Sequence, residues 1–148
     1  MRITRSALAL LSLATLLLAS LAFAGATMAG GRPFTTELLG ANERPNPGDP
    51  DGSGSAWVSL NPGTGEVCYA YSVSNVAPLL AAHIHRATAD VAGPVVIPLP
   101  PTSATGGSGC VTADRDLLIE ILKNPAGYYV NVHNAKYPPG ALRGQLSR

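Results

Sequence analysis

Histidine, cysteine and charge are all scarce in this chain. Only three histidines and two cysteines occur among 148 residues, and Asp, Glu, Lys and Arg together make up 13%. With no basic run, the chain has no electrostatic footprint for nucleic acid or an anionic membrane surface. Beyond the first two dozen residues no apolar stretch approaches the roughly 20 residues that cross a bilayer, so no membrane partner is expected for the rest of the chain. Neither cysteine lies in a C-x-x-C or C-x-x-H pattern, which argues against a structural zinc site built on thiolates. No G-x-S-x-G stands between a strand and a helix, and Gly52-Ser53-Gly54-Ser55 reads as a flexible loop instead of a nucleophile elbow. Gly106-Gly107-Ser108-Gly109 lacks the lysine and the following helix of a phosphate loop. No internal repeat is present. No residue is assigned a catalytic role, and the balance leans away from an enzyme.

The first stretch has a different character. Arg2 and Arg5 form a short basic region, Ala7 to Ala22 runs apolar and small with a leucine-rich centre, and Ala22-Phe23-Ala24 closes it with small-x-small chemistry. That order is the pattern of a secretory signal peptide, expected over residues 1–24. Removing Arg2 and Arg5 leaves eight basic against nine acidic residues, a net charge of −1. The remaining length suits one domain with one core. The expected destination is secreted or periplasmic.

Sixteen glycines and thirteen prolines point to many turns and short elements. Strands are expected over 34–39, 56–60, 66–74, 82–85, 95–99, 128–133 and 141–146. In the third, Val67, Tyr69, Tyr71 and Val73 share one face while Cys68, Ala70 and Ser72 share the other. Asn61-Pro62-Gly63-Thr64-Gly65 supplies the turn of a hairpin. Pro98 pushes its strand toward a sheet edge. Segments 40–55 and 100–109 read as loops. A single helix is expected from Asp114 to Lys123, with Leu117, Leu118, Ile121 and Leu122 on one face, Thr112 or Asp114 as cap and Asn124-Pro125 as stop. Trp57, Tyr69 and Tyr71 read as packing residues. The fold class is all-β: an antiparallel β-sandwich or small Greek-key barrel of seven to eight strands with one short helix.

Cys68 and Cys110 form an even pair in a chain bound for an oxidising compartment, the setting in which such pairs join as a disulfide. The rival role is a pair of metal-binding thiols. A bridge would close a loop of roughly 40 residues, for which chain entropy gives a stabilisation on the order of 4 kcal/mol.

The second half of the chain carries an ordered series of motifs. Ala82-His83-Ile84-His85 is followed by Gly93-Pro94-Val95-Val96, then by Tyr129-Val130-Asn131-Val132-His133, Tyr137-Pro138 and Gly140-Ala141-Leu142-Arg143-Gly144-Gln145-Leu146. Together with Leu39-Gly40-Ala41-Asn42-Glu43-Arg44-Pro45 near the start, these segments closely resemble the CHRD (chordin-type) domain family over residues 33–148. Two positions depart from the family pattern: Arg86-Ala87 replaces a glycine-bearing turn after the second histidine, and Ala141 stands where an acidic residue is frequent. The resemblance implies a secreted or cell-surface β-sandwich of unknown activity. Two roles are open: a non-enzymatic extracellular binding or structural module with an unidentified ligand, and a metal-binding protein with dismutase-like chemistry.

All three histidines fall in these motifs. Residues two apart on a strand share a face at a spacing of roughly 7 Å, so His83 and His85 point the same way. His133 shares a face with Tyr129 and Asn131. If the two strands are neighbours, three imidazoles converge in a set suited to zinc or copper, with Asp90 or Glu43 available to add an oxygen. The H-x-H strand and distant third histidine also resemble, more faintly, Cu/Zn superoxide dismutase, without its bridging second-metal residues. The alternative is structural: a network of the histidines with carbonyl groups, Asn131 and Arg143, in which Arg143 partners Glu43 or a cluster of carbonyls.

Overall fold

The computed structural model describes residues 30–148. The expected signal peptide over 1–24 lies outside the described residues. Eight strands follow one another as β1 (Arg32–Leu39), β2 (Ser53–Asn61), β3 (Glu66–Ser74), β4 (Leu79–Arg86), β5 (Val95–Pro98), β6 (Gly106–Thr112), β7 (Tyr128–Asn134) and β8 (Leu142–Gln145). One helix, α1 (Arg115–Lys123), lies between β6 and β7. The strands form one antiparallel sheet in the order β5-β4-β7-β8-β1-β2-β3-β6. β8 and β1 meet at the Leu39–Arg143 pair and the flanking Thr35–Ser147 bridge. Both halves contribute to one hydrophobic core, giving a nearly closed sandwich. No helix among the described residues is long and apolar enough to cross a membrane.

Period-two alternation decides which face each strand buries. Phe34 and Leu38 of β1, Val58 and Leu60 of β2, Val67, Tyr69, Tyr71 and Val73 of β3, Ala82 and Ile84 of β4, and Val130 and Val132 of β7 all enter that core. Leu118 and Ile121 of α1 are fully buried. Asp114 caps the helix: its Oδ1 accepts from the N–H groups of Asp116 and Leu117 at 2.8 and 3.1 Å. β5 is an edge strand, the place that Pro98 demands.

Segment 100–109 departs from its expectation as a loop, because β6 begins inside it at Gly106. Its glycines give the reason. Gly107 and Gly109 lie opposite Tyr71 and Tyr69; the Tyr71 ring occupies the space a Gly107 side chain would need, and the Tyr69 ring lies in van der Waals contact beside Gly109. The tyrosine hydroxyls reach across to donate to the carbonyls of Leu99 and Pro100 at 3.0 and 2.9 Å. Glycine here makes room for aromatic cover from the neighbouring strand. β2 and β4 also start three residues earlier than expected, at Ser53 and Leu79. Cys68 and Cys110 face each other across β3 and β6 and are joined as a disulfide.

Candidate functional site

The outer face of β4, β7 and β8 is polar. Three rows cross it in register: Ala81–His133, then His83–Asn131–Arg143, then His85–Tyr129–Gln145. Every one of these positions has the opposite parity to the core residues Ala82, Ile84, Val130, Val132 and Leu142. Two loops roof the face. The first follows β1; Gly48 N–H closes it on Gly40 O at 2.8 Å, and Asp49 N–H ties it to Ala141 O, just before β8, at 2.9 Å. It delivers Glu43, 3% exposed. The second joins β4 to β5 and delivers Gly93 and the carbonyls of Thr88 and Val91.

His83 and Asn131 stand opposite each other at the centre of this face. From two residues further along β4, His85 leans inward; from two residues the other way along β7, His133 does the same. The ring centroids are 5.6 Å apart for His83–His85, 5.0 Å for His83–His133 and 5.8 Å for His85–His133. One nitrogen from each ring lies within 4.8 Å of the other two.

Hydrogen bonds fix which nitrogens carry protons. His85 Nδ1 sits 2.8 Å from Gly93 O and His133 Nδ1 3.0 Å from Pro138 O. A carbonyl only accepts, so each Nδ1 is the N–H and each Nε2 keeps a lone pair. His83 Nδ1 lies 3.2 Å from His133 Nε2 and donates to it when no ion is bound. His85 Nε2 is buried and has no hydrogen-bond partner in the protein. Burial holds all three imidazoles below their ordinary pKa. His83, also repelled by His133 and His85, is pushed down to about 4.

Around this trio the polar groups are tightly held. The Tyr129 ring stacks on His85, centroids 4.9 Å apart and 14° between planes. Arg143 lies over the Tyr129 ring and is 1% exposed. Its guanidinium donates to Thr88 O at 2.7 Å, to Val91 O at 2.9 Å and to the Gln145 side chain. The Gly93 N–H donates to Tyr129 Oη at 3.1 Å while its carbonyl accepts from His85, so one residue clamps both stacked rings. A Cβ on Gly93 would overlap the carbonyl of Arg86, which explains glycine at that place.

Asn131 donates its amide N–H groups to both Glu43 oxygens, at 2.9 and 3.0 Å. Burial raises the Glu43 carboxyl to about 7 against the opposing pull of Asn131 and the Arg143 charge. Glu43 is thereby committed to Asn131. Among the described residues, the ligand groups that converge here are those of the three histidines, without Glu43 or Asp90. Of the expected structural partners, carbonyls serve His85 and His133, whereas Asn131 and Arg143 bond to other groups.

A carbonyl-locked Nδ1–H that leaves Nε2 free is the usual outer-shell support of a metal-ligating histidine. Tetrahedral zinc with bonds of about 2.0–2.1 Å places its ligand atoms roughly 3.3 Å apart, and the His83–His133 pair already has that spacing at 3.2 Å. The residues present fit a three-nitrogen centre for zinc or copper. A groove of about 860 Å³ lies elsewhere, on the β1–β2–β3–β6 half, lined by Trp57, Thr35, Ser55, Ser72 and Ser108 and by no histidine.

Sequence parity places Tyr129 on the histidine face, but its stacking role depends on two long-range partners, His85 and Arg143, that no local pattern specifies. The model of the CHRD domain family matches residues 34–146. No curated protein and no solved structure matches the chain.

Proposed function

This chain belongs to the CHRD domain family, and on that premise we propose that it is an exported, non-enzymatic binding module whose ligand is a copper or zinc ion held by His83, His85 and His133. One observation carries the reading: His85 Nε2 is buried and unpartnered beside two further imidazoles. With both Nδ1–H groups spent on carbonyls, the cluster has more lone pairs than protons to satisfy them. His83 Nδ1–H can serve His133 but leaves His85 with nothing. With His83 in its Nε2–H tautomer, a cation offers one partner to a lone pair from each ring, and neutral imidazole suits the late first-row divalent ions, copper above zinc in intrinsic affinity. Export is supported by the signal-peptide pattern of the first 24 residues and by the Cys68–Cys110 disulfide, which fits an oxidising compartment.

The test is elemental analysis of the exported protein, followed by titration of the chelator-treated form with Cu²⁺ and Zn²⁺. About one equivalent should bind tightly, and His85→Ala should weaken binding by at least about tenfold. No stoichiometric uptake of either ion would sink the proposal.

A further inference from the structure

Two buried side-chain atoms among the described residues have no hydrogen-bond partner in the protein: His85 Nε2 and Asn131 Oδ1. The first is a ligand atom in the reading above. The second stands at the centre of the same face, on the strand position directly opposite His83 and two residues from His133. Asn131 is 2% exposed, so its oxygen has no access to bulk water. Two orphaned acceptors on one small buried face require a shared explanation, since each unpaired polar group is costly to bury.

The ionised form of Glu43 fixes the orientation of the Asn131 amide. Its nitrogen donates to both oxygens of Glu43, and against the carboxylate a flipped amide would set its oxygen acceptor to acceptor. Glu43 itself is held on the β8 side. Its neighbour Asn42 donates to Arg143 O at 3.2 Å, and a Cβ on Gly140 would collide with the Glu43 carboxylate. The amide nitrogen is therefore turned to Glu43, and the unpartnered oxygen is turned away from it. Glu43, Asn131 and Gly140 make one device whose output is a fixed, buried lone pair.

Resting on the metal-binding reading, we infer that Asn131 is the positioning residue of this centre: its carboxamide oxygen accepts a hydrogen bond from the water that completes the coordination of an ion held by His83, His85 and His133, and Glu43 sets the amide the right way round. Three nitrogens leave a tetrahedral ion one position short, and water in that position brings two protons in need of acceptors. Gly93 O and Pro138 O already accept from the histidines, and Thr88 O and Val91 O from Arg143. Asn131 Oδ1 is buried and accepts from no group of the protein. Outer-shell partners of this kind tune affinity without touching the ion.

The experiment uses the purified exported protein with Cu²⁺ and Zn²⁺ as probes. Affinity is read by chelator competition, and the bound water by the exchangeable-proton coupling in the magnetic resonance spectrum of the Cu²⁺ form. Asn131→Leu should bind about 10–100-fold more weakly and lose or shift the water coupling. Glu43→Leu, which frees the amide to turn, should do the same. Glu43→Gln keeps an acceptor for the amide nitrogen and should retain both affinity and coupling. Unchanged coupling in Asn131→Leu, whatever its affinity, overturns the assignment. If Asn131→Leu does not fold, the two Glu43 variants carry the test, and identical behaviour of the pair overturns it. A wild-type protein that takes up neither ion fails at the metal-binding reading itself; normal uptake with indifferent variants fails only the role given to Asn131.

Discussion

The guanidinium carbon of Arg143 lies 3.5 Å from the centroid of the Tyr129 ring. Tyr129 in turn stacks on His85, so a permanent cation is linked through one aromatic ring to one imidazole of the trio. Protonating His85 would bring a second positive charge toward the first, and the Arg143 charge adds to the burial that holds His85 below its ordinary pKa. Arg143 thus does two things: it ties the β4–β5 loop to β8, and it favours the neutral, lone-pair-bearing form of a histidine it does not touch.

Arg143→Lys is therefore expected to behave as a severe substitution. Lysine lacks the planar fork that reaches Thr88 O, Val91 O and Gln145 together, and it cannot lie flat on Tyr129. Stability should fall by about 3 kcal/mol or more, because buried carbonyls lose a charged donor. Urea unfolding of the metal-free protein measures it. A loss under about 1 kcal/mol would mean that the guanidinium network contributes little.

Tyr129→Phe separates the ring from its hydroxyl. The stack between Arg143 and His85 survives, but the Gly93 N–H loses its acceptor at 3.1 Å. A cost of about 1–2 kcal/mol is expected, with faster amide exchange at Gly93. Unchanged exchange there would show that the Gly93 clamp is not a stabilising feature.

Much of this arrangement is legible in the sequence, and the limits are physical. Alternation alone assigns His83, His85, Asn131, His133 and Arg143 to non-core positions, because Ile84, Val130, Val132 and Leu142 occupy the intervening ones. The pairing of β4 with β7, which brings the histidines together, is set by the whole sheet order, and no local pattern encodes it. β6 escapes because its signal is inverted: a glycine run reads as a loop until Tyr71 is seen to occupy the side-chain space at Gly107. Likewise, Glu43 sits in a loop segment whose proline and glycine content says nothing of burial. A Cβ on Gly140 would strike the Glu43 carboxylate, and one on Gly48 would strike the Ala141 carbonyl and then the Glu43 side chain, which is why those glycines are there.

The disulfide carries its own prediction. Cys68 and Cys110 are separated by 42 positions and join the edge strand β6 to β3. Cutting the link restores loop entropy to the unfolded chain, so replacing both cysteines with serine should cost about 2–5 kcal/mol. Reducing agent should give a similar loss in the unmodified protein. Two thiols freely alkylated in the native exported protein would contradict the pairing.

Glu43 and His83 give the metal-free protein opposing responses to pH. Burial raises the Glu43 carboxyl from 4.5 to about 7, so the folded state holds that proton more tightly than the unfolded chain. Its contribution to stability is fully present below about pH 4.5 and is lost as the pH rises to about 7. Burial and two neighbouring rings lower His83 from 6.5 to about 4, so here the unfolded chain holds the proton more tightly. That contribution is fully present above about pH 6.5 and is lost as the pH falls toward about 4. Between those limits the two slopes oppose each other and flatten the stability curve. Glu43→Gln removes the carboxyl titration while keeping an acceptor for Asn131. Relative to wild type, the variant should therefore gain about 1–3 kcal/mol between pH 5 and pH 8. Urea midpoints and slopes measured at both pH values with chelator present will show it. Parallel curves for the two proteins across that range would mean that Glu43 titrates as an ordinary carboxylate, and that its burial against Asn131 does not hold the proton.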